Sequence, residues 1–157
     1  MIRHHGLAAF RAILTGLAVS AALTVSVLAQ TRDTGFDPPR IANSLSVGLI
    51  QQDDSDCLNT TVRDDPNRML GGEIWITRNR DGTATVKVGM TGTPNTVYQF
   101  NLKCVRLLGD ILTDDEGSGI ATFSFRLSEV GPKFAFDMYP PGGPSGNKFQ
   151  SLTATMP

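Results

Sequence analysis

Apolar residues recur at every second position through most of this chain, and that period is met by strands with one buried face. Leu45, Val47 and Leu49 alternate with Ser44, Ser46 and Gly48, and Ala84, Val86, Val88 and Met90 alternate with Thr83, Thr85, Lys87 and Gly89. Tyr98, Phe100, Leu102 and Cys104 share one parity, as do Ala121, Phe123, Phe125 and Leu127, and then Phe134, Phe136 and Met138. Strands are expected near 43–50, 72–79, 83–90, 96–108, 119–128, 132–139 and 148–155, with a further short one at 110–113. No stretch beyond the first thirty residues carries a helical period.

Turn chemistry falls between these segments. Asn79-Arg80-Asp81-Gly82 separates two strand patterns, with Gly82 free to take a positive φ. Thr91-Gly92-Thr93-Pro94-Asn95 and Asp114-Asp115-Glu116-Gly117-Ser118-Gly119 separate two later pairs. Turns at this spacing predict an all-β domain, an antiparallel sandwich of about seven strands.

The amino-terminal segment has a different character. Arg3 and Arg11 precede an uncharged run from Ala12 to Ala29, which ends in Val27-Leu28-Ala29. This order is the layout of a secretory signal cleaved after Ala29. The alternative, an uncleaved anchor, needs a run long enough to cross about 30 Å of hydrocarbon, and this one is diluted by Thr15, Gly16, Ser20, Thr24 and Ser26. The expected organisation is a signal peptide at 1–29, an extended leader at 30–39 ending in Pro38-Pro39, and one β-sandwich domain at 40–157. Localisation is then secreted, periplasmic or extracellular, with no membrane contact after signal cleavage.

Composition narrows the function. Without Arg3 and Arg11, 12 Lys and Arg face 15 Asp and Glu. The basic residues are scattered, so no nucleic-acid surface is expected. His4 and His5 are the only histidines, and both fall in the signal. The expected mature chain thus lacks the imidazole base of Ser-His-Asp and Cys-His triads and the ligand of His-bound zinc and blue-copper sites. Carboxylate, Lys or Tyr chemistry and oxygen-ligated calcium remain.

Cys57 and Cys104 are the only cysteines. In an oxidising compartment a lone pair forms one disulfide; a pair of free thiols is the alternative. Cys57 lies in the long polar connection 51–71, QQDDSDCLNTTVRDDPNRMLG, and Cys104 continues the inward parity of Tyr98, Phe100 and Leu102. A Cys57–Cys104 bond would therefore pin the middle of the loop to the core. Loops of that length without structure of their own are usually functional or disordered.

Three further features bear on ligands. Asp53, Asp54 and Asp56 could share a calcium ion, although the EF-hand Gly and Glu are missing; solvated acidic loop is the simpler reading. Asp64-Asp65 and Asp114-Asp115-Glu116 raise the same pair of readings. Trp75, the only tryptophan, has the opposite parity from Ile74 and Ile76. It is an exposed platform for a sugar ring, an indole covered by the long loop, or, with the parity swapped, a core residue. Asn59-Thr60-Thr61 matches the glycosylation triplet but is discounted, because such triplets arise often by chance.

The stretch from Gly72 to Met138 resembles the small exported immunoglobulin-like domains of bacteria. The resemblance is carried by Gly82-Thr-Ala-Thr-Val86, Pro94-Asn-Thr-Val-Tyr98 and Thr113-Asp-Asp-Glu-Gly-Ser-Gly119. It covers under half of the chain and departs from the antibody type, with no Cys two residues after Tyr98. It implies an immunoglobulin-like sandwich and no activity. The expected function is a non-catalytic binding or structural module whose partner is a protein or glycan at the cell surface. One alternative is a calcium-stabilised glycan-binding or adhesion domain using Trp75. Another is a small secreted hydrolase, or an inhibitor presenting the 51–71 loop to an enzyme.

Overall fold

The computed structural model describes residues 43–53, 56–143 and 145–156. They belong to the second of the two units, 1–32 and 33–157, into which the chain divides. The expected signal and leader lie outside the described residues.

The domain is all-β and antiparallel. Its strands are β1 (Ser44–Gln51), β2 (Gly71–Arg78), β3 (Thr83–Thr91), β4 (Val97–Leu102), β5 (Arg106–Leu112), β6 (Ser118–Arg126), β7 (Lys133–Phe134), β8 (Phe136–Tyr139), β9 (Phe149–Ser151) and β10 (Ala154–Thr155). Hydrogen bonds join eight of them into one sheet in the order β5-β4-β8-β9-β1-β2-β3-β6, and β7 and β10 form a separate ribbon. Where two packed sheets were expected, the ladder is continuous. The sheet curls until its two edge strands, β5 and β6, face each other, as a twisted sheet of this width tends to do.

The β5–β6 seam closes by packing. A Cβ on Gly109 of β5 would lie 2.7 Å from the Phe123 ring of β6, and one on Gly119 of β6 would lie 2.9 Å from Ile111. Only glycine allows these approaches. With Gly109 bare, Phe123 stacks on Phe100 of β4, with centroids 5.2 Å apart and planes 18° from parallel. The register shift between Phe100 and Asn101 in the β4–β5 ladder belongs to this bend. Arg106 of β5 also pairs with Glu129, in the short 3-10 turn after β6, at 2.6 Å.

The inward parities hold. Ile74, Ile76, Val86, Val88, Tyr98, Phe100, Leu102, Phe136 and Met138 have no exposed surface. Phe134, Phe136 and Phe125 pack edge to face at 5.5–6.2 Å. Each such ring stabilises the fold by about 1.5–3 kcal/mol through removal from water.

Three expected strands are broken. The segment expected at 96–108 is two strands, separated by a turn at 103–105 in which the Val105 amide donates to the Leu102 carbonyl at 2.9 Å. Cys104 takes φ +57 there and is exposed, so it does not continue the inward row of β4. The short strand expected at 110–113 is the end of β5. The segments at 132–139 and 148–155 divide at Ala135, whose carbonyl accepts from the Lys103 amide at 3.0 Å, and at 152–153, where the Leu152 amide donates to the Gly48 carbonyl at 2.9 Å.

Candidate functional site

Residues 52–53 and 56–70 have no regular structure, yet polar and covalent ties hold them. Cys57 and Cys104 form the disulfide, with Cα atoms 5.6 Å apart, so the loop is tied to the exposed β4–β5 turn. The Asp56 carboxylate accepts hydrogen bonds from the Leu58 and Thr60 amides, at 3.0 and 3.1 Å, and from the Thr60 hydroxyl at 2.6 Å. These donors, the Thr60 hydroxyl first, hold its carboxyl below the usual range. Further along, Asp65 accepts from the Asn67 amide, and Arg68 pairs with Asp64 while donating to the Gly72 carbonyl at 3.1 Å.

Asn59 is the inner anchor. It is 1% exposed and sits at φ +55, a region that Asn tolerates better than most residues. Its Nδ2 donates to the Phe136 carbonyl at 3.0 Å and to the Ser151 carbonyl at 2.8 Å. The Phe136 amide in turn donates to Ser151 Oγ at 2.9 Å. The amide therefore plugs the fork where β8 and β9 diverge, and the triplet asparagine is buried rather than displayed. Its Oδ1 accepts from Lys103 Nζ at 2.6 Å.

Around this anchor the outer face of the sheet carries a half-buried carboxylate. Asp137 of β8 is opposite Asn101 of β4 and Gln150 of β9. Burial pushes the Asp137 carboxyl up against the opposing pull of Lys103 and Lys148. Burial also pushes the Lys103 ammonium down, opposed first by Asp137. Gln150 is 2% exposed, and its Oε1 has no hydrogen-bond partner.

The acids singled out for calcium have other partners where they are described. Asp53 pairs with Lys148 at 2.5 Å, Asp56 is occupied by loop donors, and Asp54 lies outside the described residues. Among the described residues no three His, Cys, Asp or Glu are arranged to hold a metal ion. The other acidic turns work as Asp56 does. Asp114 accepts from the Glu116 and Ser118 amides, and Asp81 accepts from the Thr83 amide and hydroxyl. Carboxylates spaced for a cation are thus also spaced to close turns, and here turn closure wins.

Trp75 stands on the outer face, as its parity requires, opposite Ser46 and Lys87. It is nevertheless only 8% exposed, so it presents no open platform. Beside it is a recess of about 680 Å³ lined by Arg68, Glu73, Met90 and Ile120 among others.

The sequence reading singled out Cys57, Cys104, Trp75 and the acids. It missed Lys103, Asp137 and Gln150, and it saw Asn59 only as a sugar acceptor. The one signal that could have found the pair is proximity in the chain: Asn59 follows Cys57 by two positions and Lys103 precedes Cys104, so the disulfide brings them together. Among the described residues no helix is long and apolar enough to cross a membrane. In comparison with known proteins, the chain matches no family model and no curated relative.

Proposed function

We propose that the domain is an exported, non-catalytic binding module that presents its 52–70 segment to a protein partner. The observation that carries this reading is an irregular segment held in one shape by a disulfide, a buried asparagine and turn-closing carboxylates, with Met69 92% exposed near its end. Fixing a contact segment before binding lowers the ordering cost of association. Export rests on the amino-terminal pattern together with the disulfide. The finer likeness to bacterial immunoglobulin-like domains rests on the turn segments alone.

A photo-crosslinking residue at position 69 of the exported protein tests the reading in intact cells. The expected result is one discrete adduct that is absent from a control at Arg80 and lost when Cys57→Ser frees the loop. Equal labelling at both positions, or none at 69, overturns it. The recess beside Trp75 favours a second reading, in which a glycan is held at the sheet face. A saturable change in tryptophan emission on titration with cell-surface glycans would support that reading, and a flat response would remove it.

A further inference from the structure

We infer that the protein partner is a serine protease with an apolar primary pocket, which Met69 enters as a substrate side chain while the Met69–Leu70 bond resists turnover. This rests on the reading that the 52–70 segment is the contact surface. Met69 is 92% exposed, and the next large apolar side chain among the described residues, Leu112, is 67% exposed. Its neighbours point the other way: Arg68 is half-buried, and Leu70 packs against the core. One unbranched apolar chain on a fixed stem suits a narrow pocket better than a flat surface.

The stem is braced on both sides of the bond. Before it, the Arg68 amide donates to the Asp65 carbonyl at 3.2 Å, and the Arg68 guanidinium pairs with Asp64 and donates to the same carbonyl at 3.1 Å. After it, that guanidinium donates to the Gly72 carbonyl at 3.1 Å. One side chain thus spans the backbone that carries Met69. Gly71 fixes the exit: it takes φ +121, and a Cβ there would lie 2.3 Å from the Leu49 carbonyl oxygen of β1. A contact backbone held in this way loses little freedom on docking.

The fold also keeps the two sides together after a cut. The piece ending at Met69 carries β1, Asn59 and Cys57, and the piece starting at Leu70 carries β2, β9 and Cys104. The disulfide joins them, β1 pairs with β2 on one side and β9 on the other, and Asn59 donates to the Phe136 and Ser151 carbonyls. In the cut, the protease serine Oγ attacks the Met69 carbonyl carbon, the C–N bond breaks, and the Leu70 nitrogen takes the hydroxyl proton and becomes an amine. Water would then release the Met69 carboxylate. A Leu70 amine held nearby competes with that water, attacks the ester and re-forms the peptide bond. The protease is therefore occupied rather than freed.

The test titrates the purified, oxidised exported protein against chymotrypsin and subtilisin, read with a chromogenic peptide substrate. The expected result is saturable inhibition of at least one, with slow scission at Met69–Leu70 alone and pieces that separate only after reduction. Met69→Lys should weaken that inhibition about 100-fold and create inhibition of trypsin, whose pocket holds a carboxylate. Arg68→Ala should be cut at the same bond about tenfold faster. Wild type that inhibits neither enzyme, or is cut as fast as a free peptide of residues 64–74, overturns the proposal. So does undiminished inhibition by Met69→Lys, and an unchanged cutting rate in Arg68→Ala overturns the brace. If Arg68→Ala fails to fold, the exchange at the exposed position 69 still decides. A discrete adduct at position 69 in cells without inhibition leaves the binding-module reading standing with another kind of partner; absence of both removes both.

Discussion

The β2–β3–β6 face and the 52–70 segment show two ways of holding a chain. In the first, the repeat of Ile74, Ile76, Val86 and Val88 against Ala121, Phe123 and Phe125 leaves one arrangement that turns these side chains to the core together. Many weak contacts decide it, and any one of them is replaceable. In the second, buried apolar surface is scarce, with Val62 as its main contributor. A few directional ties decide it: one disulfide, one asparagine at a fork, and aspartates at turns. The lesson is that the sheet should lose stability gradually with lost volume, whereas the loop should lose its shape when one tie is cut.

The largest effect is expected in the sheet. Phe136→Ala removes a fully buried ring from the aromatic cluster and should cost about 3–5 kcal/mol, seen as a lower urea midpoint with unchanged slope. Loss of the loop signals alone, with the global transition unmoved, would break the comparison. Next comes the disulfide. Cys57→Ser with Cys104→Ser opens a 47-residue separation and should cost about 4 kcal/mol by chain entropy.

Asn59→Ala ranks third. It strips donors from the Phe136 and Ser151 carbonyls and places alanine at φ +55, for a cost of about 1–3 kcal/mol. Faster amide exchange confined to the loop and the β8–β9 fork would sharpen the contrast; exchange spread evenly over β2 and β3 would erase it. The smallest effect belongs to the ion pair across the β5–β6 seam. Arg106 holds the Glu129 carboxyl down at about 2, below its ordinary 4.5. A lowered carboxyl contributes stability above its ordinary value and loses it as pH falls towards about 2. Wild type and Glu129→Gln should therefore differ slightly at neutral pH and converge near pH about 2, with salt reducing the gap.

Sequence legibility followed the same division. Period-two runs located β1, β2, β3 and β6 to within two residues, because apolar parity is a local property written at every position. The Asp81-Gly82 and Asp114-Gly117 turns were also legible, since carboxylate acceptors and positive-φ glycines act over a few residues. Cys104 was misplaced because the alternation of Tyr98, Phe100 and Leu102 runs on past the strand end; what stops β4 is the left-handed conformation at Cys104 and the bond back to Leu102. The face of Trp75 was left open by the sequence, and its exposure depends on what lies over that face, about which parity carries no information.

By itself the sequence determined an all-β antiparallel domain, its inward-facing residues, its main turns and the one cysteine pair available for a disulfide. These follow from period, local backbone chemistry and counting. Tertiary structure decided that the strands share a single curled sheet, because the closeness of Gly109 to Phe123 and of Gly119 to Ile111 emerges only when distant strands meet. It also decided that the aspartates close turns and that Lys103 meets Asn59 at the β8–β9 fork. Those outcomes depend on donors supplied from other parts of the chain, which no local pattern records.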